Sequence, residues 1–154
     1  MKGNNNMIIV GYQGIGKSST AGNCCKYIDL ESGNFWVDGK RDDDWYKVYV
    51  NIAEHLSQQG FTVFVSSHAV VREELKNTDE RVVVIYPSLN LKDEWIERLY
   101  VRYMSSQLEK DKKAYLNANE CYEKNIKDLA NSGFETYEIT STDYRLIDVL
   151  LDII

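Results

Sequence analysis

The chain has 154 residues, a formal net charge of −6 and a pI near 5.0, with 44% hydrophobic and 27% charged residues. An acidic balance without a lysine- and arginine-rich tract argues against an extended nucleic-acid or membrane-surface binder, and no apolar run reaches the length of a membrane span. Three cysteines (Cys24, Cys25 and Cys121) exclude a paired disulfide framework and suit a reducing, cytoplasmic setting, while two histidines, His55 and His68, give no zinc spacing.

In chain order, the polar stretch Met1 to Asn6 lacks the pattern of a signal peptide and leads into the apolar run Met7-Ile8-Ile9-Val10, a short buried strand broken by Gly11. Gly11-Tyr12-Gln13-Gly14-Ile15-Gly16-Lys17-Ser18 fits G-x-x-x-x-G-K-[ST], the phosphate-binding P-loop, and a helix is expected from about Lys17 to Lys26. Glycines admit positive φ and carry no Cβ, so successive backbone N–H groups can converge on an anion. The lysine reaches the terminal phosphates, the serine hydroxyl suits Mg²⁺, and the helix dipole points its positive end at the same place. Gly11, Gln13, Gly14, Ile15, Gly16, Lys17, Ser18 and Ser19 are therefore the predicted triphosphate site, with ATP and Mg²⁺ as its ligands.

Tyr27 to Leu30 reads as a second strand. At its end Asp29 and Glu31 stand two residues apart, on one side of an extended segment, where they can hold a Mg²⁺-bound water or accept a hydroxyl proton. Ser18 and Asp29 form the predicted metal pair. A polar loop follows with Phe35 and Trp36, and Trp36 is a candidate for stacking on an acceptor; the alternative is that Trp36 and Trp45 pack the loop onto the next helix. Lys40-Arg41-Asp42-Asp43-Asp44 reads most simply as a solvated face. A helix over Trp45 to Gln59 is predicted to carry its stripe on Val48, Ile52 and Leu56, ended by Gly60.

Phe61 to Val65 is a third strand. After it come Ser66, Ser67 and His68, with Arg72 one turn into a helix over 69–76. No aspartate ends this strand, so Ser66 and Arg72 are the acceptor-binding candidates there, and His68 reads equally as a base or as a packing residue. Arg81 to Tyr86 is a fourth strand, stopped by Pro87. Helical patterns cover 91–104 and 108–131. Arg98 and Arg102, spaced i, i+4, share one face of the first and can clamp a transferring phosphoryl group; the alternative is a surface pair beside Glu94 and Glu97. The region 91–131 is the expected lid, hinged at Ser105-Ser106. Phe134 to Ile139 is a fifth strand and 143–154 an amphipathic closing helix.

Strands separated by helices require parallel pairing, so the expected fold is one three-layer α/β/α domain over 1–154, with a five-stranded parallel sheet and its ligand crevice at the carboxyl ends of the strands.

On Gly11 to Ser18, Asp29-Leu30-Glu31, Ser66-Ser67-His68 with Arg72, and Arg98 with Arg102, the chain resembles the small P-loop kinases, a group that includes nucleoside monophosphate kinases, shikimate kinase and gluconate kinase. Asp29 and Glu31 resemble the D-x-D element of shikimate-kinase-like enzymes, with glutamate at the second place. Arg98 to Arg102 is similar to the lid of guanylate-kinase-like enzymes, although only Lys110, Lys112 and Lys113 are available beyond the junction. The chain also resembles compact nucleotide kinases of phages and prophages. The resemblance implies ATP-dependent transfer to a small acceptor, foremost a nucleoside monophosphate, by a monomer or homodimer. A kinase of a nucleoside or hydroxyl metabolite, or a nucleotide-binding switch without fast turnover, are the alternatives.

Overall fold

The computed structural model describes residues 6–154, so most of the polar leader lies outside the described residues. Five strands, β1 (Met7–Gly11), β2 (Tyr27–Asp29), β3 (Thr62–Val65), β4 (Val82–Pro87) and β5 (Glu135–Ile139), form one sheet in the order β2-β3-β1-β4-β5. Every pairing is parallel, with Ile9 opposite both Phe64 and Val83. Every residue of β1, β3 and β4 is buried. Burial along a whole strand needs cover on both faces, which explains why these strands read as unbroken apolar runs.

Edge strands differ. β2 has three residues, and β5 is exposed along most of its length, with Glu135 gripped by Arg81 through two bonds of 3.0 and 2.7 Å. Pro87, expected to stop β4, is instead its last residue, in register with Ile139 at the edge-strand side of the ladder. A strand end tolerates the missing N–H.

Among the described residues six α-helices complete the fold: α1 (Lys17–Asn23), α2 (Trp45–Gln58), α3 (Ala69–Leu75), α4 (Lys92–Ser106), α5 (Glu109–Ala130) and α6 (Leu146–Ile153). The stripe predicted for α2 is wrong. Val48 and Ile52 face solvent, whereas Trp45, Tyr49, Val50, Ala53 and Ser57 are buried. Two stripes at helical spacing competed, and the one bearing two large aromatics buries more area. α1 also ends three residues early, because Cys24 turns into extended backbone and Tyr27 N–H closes a turn onto its carbonyl.

α4 and α5 do not stand off as a free lid over their whole length. Trp95 and Leu99 of α4, and Ala118, Tyr122, Ile126 and Leu129 of α5, are core residues. The exposed part is the tip, where Tyr100, Val101, Met104, Leu108 and Leu116 face outward. The helices break at Gln107, in the left-handed region at φ 57°, rather than at Ser105-Ser106. The Ser106 hydroxyl accepts from Leu108 N–H and donates to the Asp111 carboxylate, which ties the turn shut. No helix among the described residues is long and apolar enough to cross a membrane, and Cys24, Cys25 and Cys121 are free thiols.

Candidate functional site

The loop from β1 to α1 turns at Gly14 (φ 87°) and Gly16 (φ 110°), conformations that L side chains resist. A Cβ on Gly11 would stand 2.4 Å from Ile15 Cδ1, and one on Gly14 would stand 3.1 Å from both Leu99 and the Trp95 indole. The glycines therefore serve close packing as well as curvature.

The loop's polarity is sorted. Its carbonyls are engaged: Gly11 O accepts from Lys17 Nζ at 3.1 Å within the loop, while Gln13 O accepts from Trp95 Nε1 at 2.8 Å, Gly14 O from Arg98 at 3.1 Å and Ile15 O from the Tyr144 hydroxyl at 2.8 Å, all three from outside it. Tyr12 O takes the Ile15 amide in a turn at 3.3 Å. Among the described residues no acceptor is bonded to the amides of Gln13, Gly14, Gly16, Lys17, Ser18 or Ser19. With the acceptors already bonded, the remaining donors are available to an anion at a helix N-terminus.

Around these amides, the predicted side chains divide. Ser18 Oγ donates to Asp29 Oδ2 at 2.7 Å, which joins the metal candidates. Lys17 is half-buried; burial lowers its pKa, the carboxylates of Asp29 and Glu31 oppose that, and Arg102 adds to it. One ammonium thus lies within the field of three of the predicted residues, Asp29, Glu31 and Arg102. Gln13 is different, because its side chain turns away to Ala114 O and Asn117 of α5, leaving its amide to the loop. The Ile15 side chain is core, and Ser19 is exposed on the outer turn.

The two arginines of α4 do not act as a pair. Arg98 lies over the Trp95 ring at 4.2 Å and donates to Gly14 O, to the Tyr144 hydroxyl and, at 3.3 Å, to Thr142 O. Arg102 Nε lies 3.0 Å from Asp111 Oδ1, an ion pair whose angle falls outside hydrogen-bond geometry. Neither has Glu94 or Glu97 as an ion-pair partner.

At the P-loop lies a cavity of about 470 Å³ lined by Gly14 to Gly16, Ser19, Thr20, Asn23, Arg98 and the segment 144–147. A larger cleft of about 580 Å³ runs along α5 from Glu120 to Asp128 with Lys92; it is lined by charges of both signs and by no P-loop residue, whereas the smaller cavity is lined by the P-loop itself. Thr142, Tyr144 and Arg145 escaped the sequence reading, which placed the closing helix from residue 143. Their nearness to Gly14 and Ile15 is made by the sheet order, and no local pattern announces it.

Across the crevice, Tyr49 of α2 donates to Leu30 O and accepts from Ser66 N–H at 2.9 Å, bracing the ends of β2 and β3. Burial raises its pKa far above the usual phenol range, so it stays a neutral hydroxyl. Ser66 Oγ and His68 Nδ1 are 2.7 Å apart. Burial, then the charges of Arg41 and Lys17, lower the pKa of His68. Arg72 donates to Ser67 O at 3.1 Å and lies in the field of Lys124 and Asp128, so it is not brought to Lys17.

Residues 36–41 hold a feature that the charge run concealed. Val37 and Lys40 exchange two backbone bonds of 2.7 and 2.9 Å around Asp38 (φ 50°) and Gly39 (φ 75°), a two-residue hairpin turn. The dipeptide Asp-Gly is its sequence signal. Arg41 is therefore no solvated residue: its guanidinium lies 4.7 Å over the Trp36 ring and 3.8 Å over the Trp45 ring.

No family model matches the chain, and no curated protein matches it in sequence. Among solved structures, the crystal structure of a shikimate kinase from Bacteroides thetaiotaomicron is similar to it, with a TM-score of 0.54 over 97% of this chain and 95% of that one. At 14% identity that likeness concerns the fold alone, a five-stranded parallel α/β architecture. It does not single out nucleotide kinases of phages.

Proposed function

We propose that the chain is an ATP-dependent phosphotransferase that moves the γ-phosphoryl group to a small acceptor, foremost a nucleoside monophosphate, in one domain spanning 1–154. The observation that carries this reading is the P-loop, whose carbonyls are bonded while six amides beside Lys17 and Ser18 have no acceptor among the described residues. A triphosphate needs that donor array, and the adjoining 470 Å³ cavity is of a size for the rest of a nucleotide.

The residues also fit Mg²⁺. Ser18 Oγ and Asp29 Oδ2 are neighbouring hard-oxygen donors. Among the described residues no three His, Cys, Asp or Glu side chains gather into a cage. That suits a cation which keeps its waters and takes its other ligands from phosphate. When bound, it would supply charge neutralisation between the terminal phosphates.

The chain's own groups do the rest. Lys17 exchanges Gly11 O for phosphate oxygens and follows the charge on the transferring group. Arg98 fixes the loop and borders the cavity, and Arg102 at the α4–α5 tip closes toward the phosphates when it leaves Asp111. Catalysis on this reading is positioning and electrostatics. A coupled assay of ADP release across nucleoside monophosphates, nucleosides, sugars and hydroxy acids tests it. Acceptor-dependent release is expected, and ATP binding without release for any acceptor would leave a nucleotide-binding switch.

A second reading has its own observation. Asp29 and Glu31 both lie in the field of Lys17, where a carboxylate can take a proton from a hydroxyl acceptor, a role that a phosphate acceptor does not require. Asp29→Asn separates the two: a collapse of turnover confined to neutral hydroxyl acceptors favours a metabolite kinase.

A further inference from the structure

The hairpin at 36–41 places Trp36 and Arg41 as the pair next to Val37 and Lys40, and such cross-strand neighbours share a face. Trp45, nearly buried at the start of α2, lies beneath the same guanidinium. Phe35, Tyr49 and His68 pack their rings against Trp45 at centroid distances of 6.0, 5.5 and 5.5 Å, so the platform under Arg41 is rigid.

Stacking engages the faces of a guanidinium and leaves its N–H edge. Here that edge has no partner among the described residues. Among the described residues no carboxylate stands within ion-pair distance of Arg41, although Asp42, Asp43 and Asp44 follow it in the chain, and no hydrogen-bond acceptor takes its protons. A partly buried cation fixed by two indoles, yet without an anion, is an incomplete arrangement. Its position gives the missing partner a place. Trp45, under Arg41, packs its ring against His68 at 5.5 Å, and His68 Nδ1 lies 2.7 Å from Ser66 Oγ just past β3, so the stacked arginine is joined by direct contacts to the predicted acceptor residue Ser66.

We infer that Arg41, held by Trp36 and Trp45, is the binding site for an oxyanion on the acceptor, either a phosphomonoester or a carboxylate. The inference rests on the kinase reading for the word acceptor, and on the hairpin alone for the anion. Planar bidentate recognition through the guanidinium edge suits both oxyanions and no neutral polyol. It also says why the hairpin is built at all: an Asp-Gly turn two residues long fixes the arginine's register against the tryptophan, which a flexible loop would not do.

Calorimetry and tryptophan emission on the full chain test it, with the P-loop first filled by a non-hydrolysable ATP analogue. The probes are a nucleoside 5′-monophosphate and ribose 5-phosphate, gluconate as a hydroxy acid, and the neutral nucleoside, ribose and glucose. Wild type should bind at least one anionic probe on the order of tenfold or more tighter than its neutral counterpart, and Arg41→Gln should abolish the difference. Arg41→Lys should restore little, because the point charge lacks the fork. Preference for the phosphomonoesters or for gluconate identifies the oxyanion. Lys17→Ala should leave anion binding intact and weaken ADP, whereas Arg41→Gln should do the reverse. Failure of wild type to bind ADP would therefore strike the kinase reading alone. Equal affinity of Arg41→Gln and wild type for every anionic probe, with unchanged near-ultraviolet circular dichroism, would overturn the assignment of Arg41.

Discussion

The two walls of the crevice are built on different principles. On the P-loop wall, backbone does the binding and side chains do the holding. Trp95, Arg98 and Tyr144 reach from α4 and from the loop before α6 to three successive carbonyls, 13 to 15, and the amides are what is left for a ligand. On the opposite wall the proposed ligand groups are side chains, and aromatic packing of Phe35, Trp45 and Tyr49 supports them. Backbone amides recognise a group that every nucleotide shares. Side chains on a hairpin can be exchanged one at a time, so under the proposed function the second wall is where acceptor choice would be set. The contrast predicts that damage to the first wall removes activity for all acceptors, and damage to the second redistributes it.

The sharpest way to break the comparison is Lys17→Ala. Lys17 is half-buried in the cleft and, among the described residues, bonded only to Gly11 O, so truncation opens no core cavity and should leave the melting temperature nearly unchanged. Loss of the cation that follows the transferring charge should lower turnover on the order of a hundredfold or more, for every acceptor alike. Steady-state rates with two chemically different acceptors check this. Near-normal turnover with either would remove Lys17 from the phosphate clamp, and acceptor-selective loss would blur the division between the walls.

Legibility follows the same division. The P-loop was readable because its residues are contiguous and their chemistry is local, and the central strands were readable because burial on both faces writes an unbroken apolar run. Arg98 and Arg102 could be found on one helix face, but not their divergence. Their partners, Gly14 with Thr142 and Tyr144 for one and Asp111 for the other, come from different parts of the chain, brought near by sheet order and by the α4–α5 turn. Arg41 was misread for a different reason. The Asp-Gly hairpin signal was present, but the three aspartates after Arg41 dominated the reading, and the stack on Trp45 crosses from hairpin to helix.

A finer test separates those two arginines. Arg98→Ala frees Gly14 O, the Tyr144 hydroxyl and Thr142 O together, so nucleotide affinity and stability should fall jointly, by about 1.5–3 kcal/mol for each charged hydrogen bond that is not replaced by water. Arg102→Ala should instead lower kcat more than it raises the KM for ATP, since its proposed phosphate contact forms in the closed state. Asp111→Asn is the control, because it frees Arg102 without deleting it and keeps a partner for Ser106. Hydrogen exchange with and without a bisubstrate analogue should show new protection at the α4–α5 tip, residues 100–116, and none at the already buried Trp95 and Leu99. Equal protection with and without the analogue, and unchanged kcat in Arg102→Ala, would make Arg102 a structural partner of Asp111.

The smallest effect reads both walls at once. His68 lies in the field of a cation on each, and its pKa is depressed by burial first, then by Arg41, then by Lys17. The sign follows from linkage: the unfolded chain takes up a proton at the ordinary histidine value and the folded chain resists, so between those two values the unfolded state binds more protons and stability falls as pH drops. His68→Gln should flatten that part of the stability–pH curve just below the ordinary value. With His55 as the other histidine in the chain, imidazole proton resonances resolve the site directly. Arg41→Gln should raise the His68 titration midpoint, Lys17→Ala should raise it by less, and the ATP analogue should raise it in wild type by placing negative charge beside Lys17. A midpoint indifferent to Arg41→Gln would mean that the guanidinium does not hold its place over Trp45 in solution, and the second wall would lose the cation on which its selectivity depends.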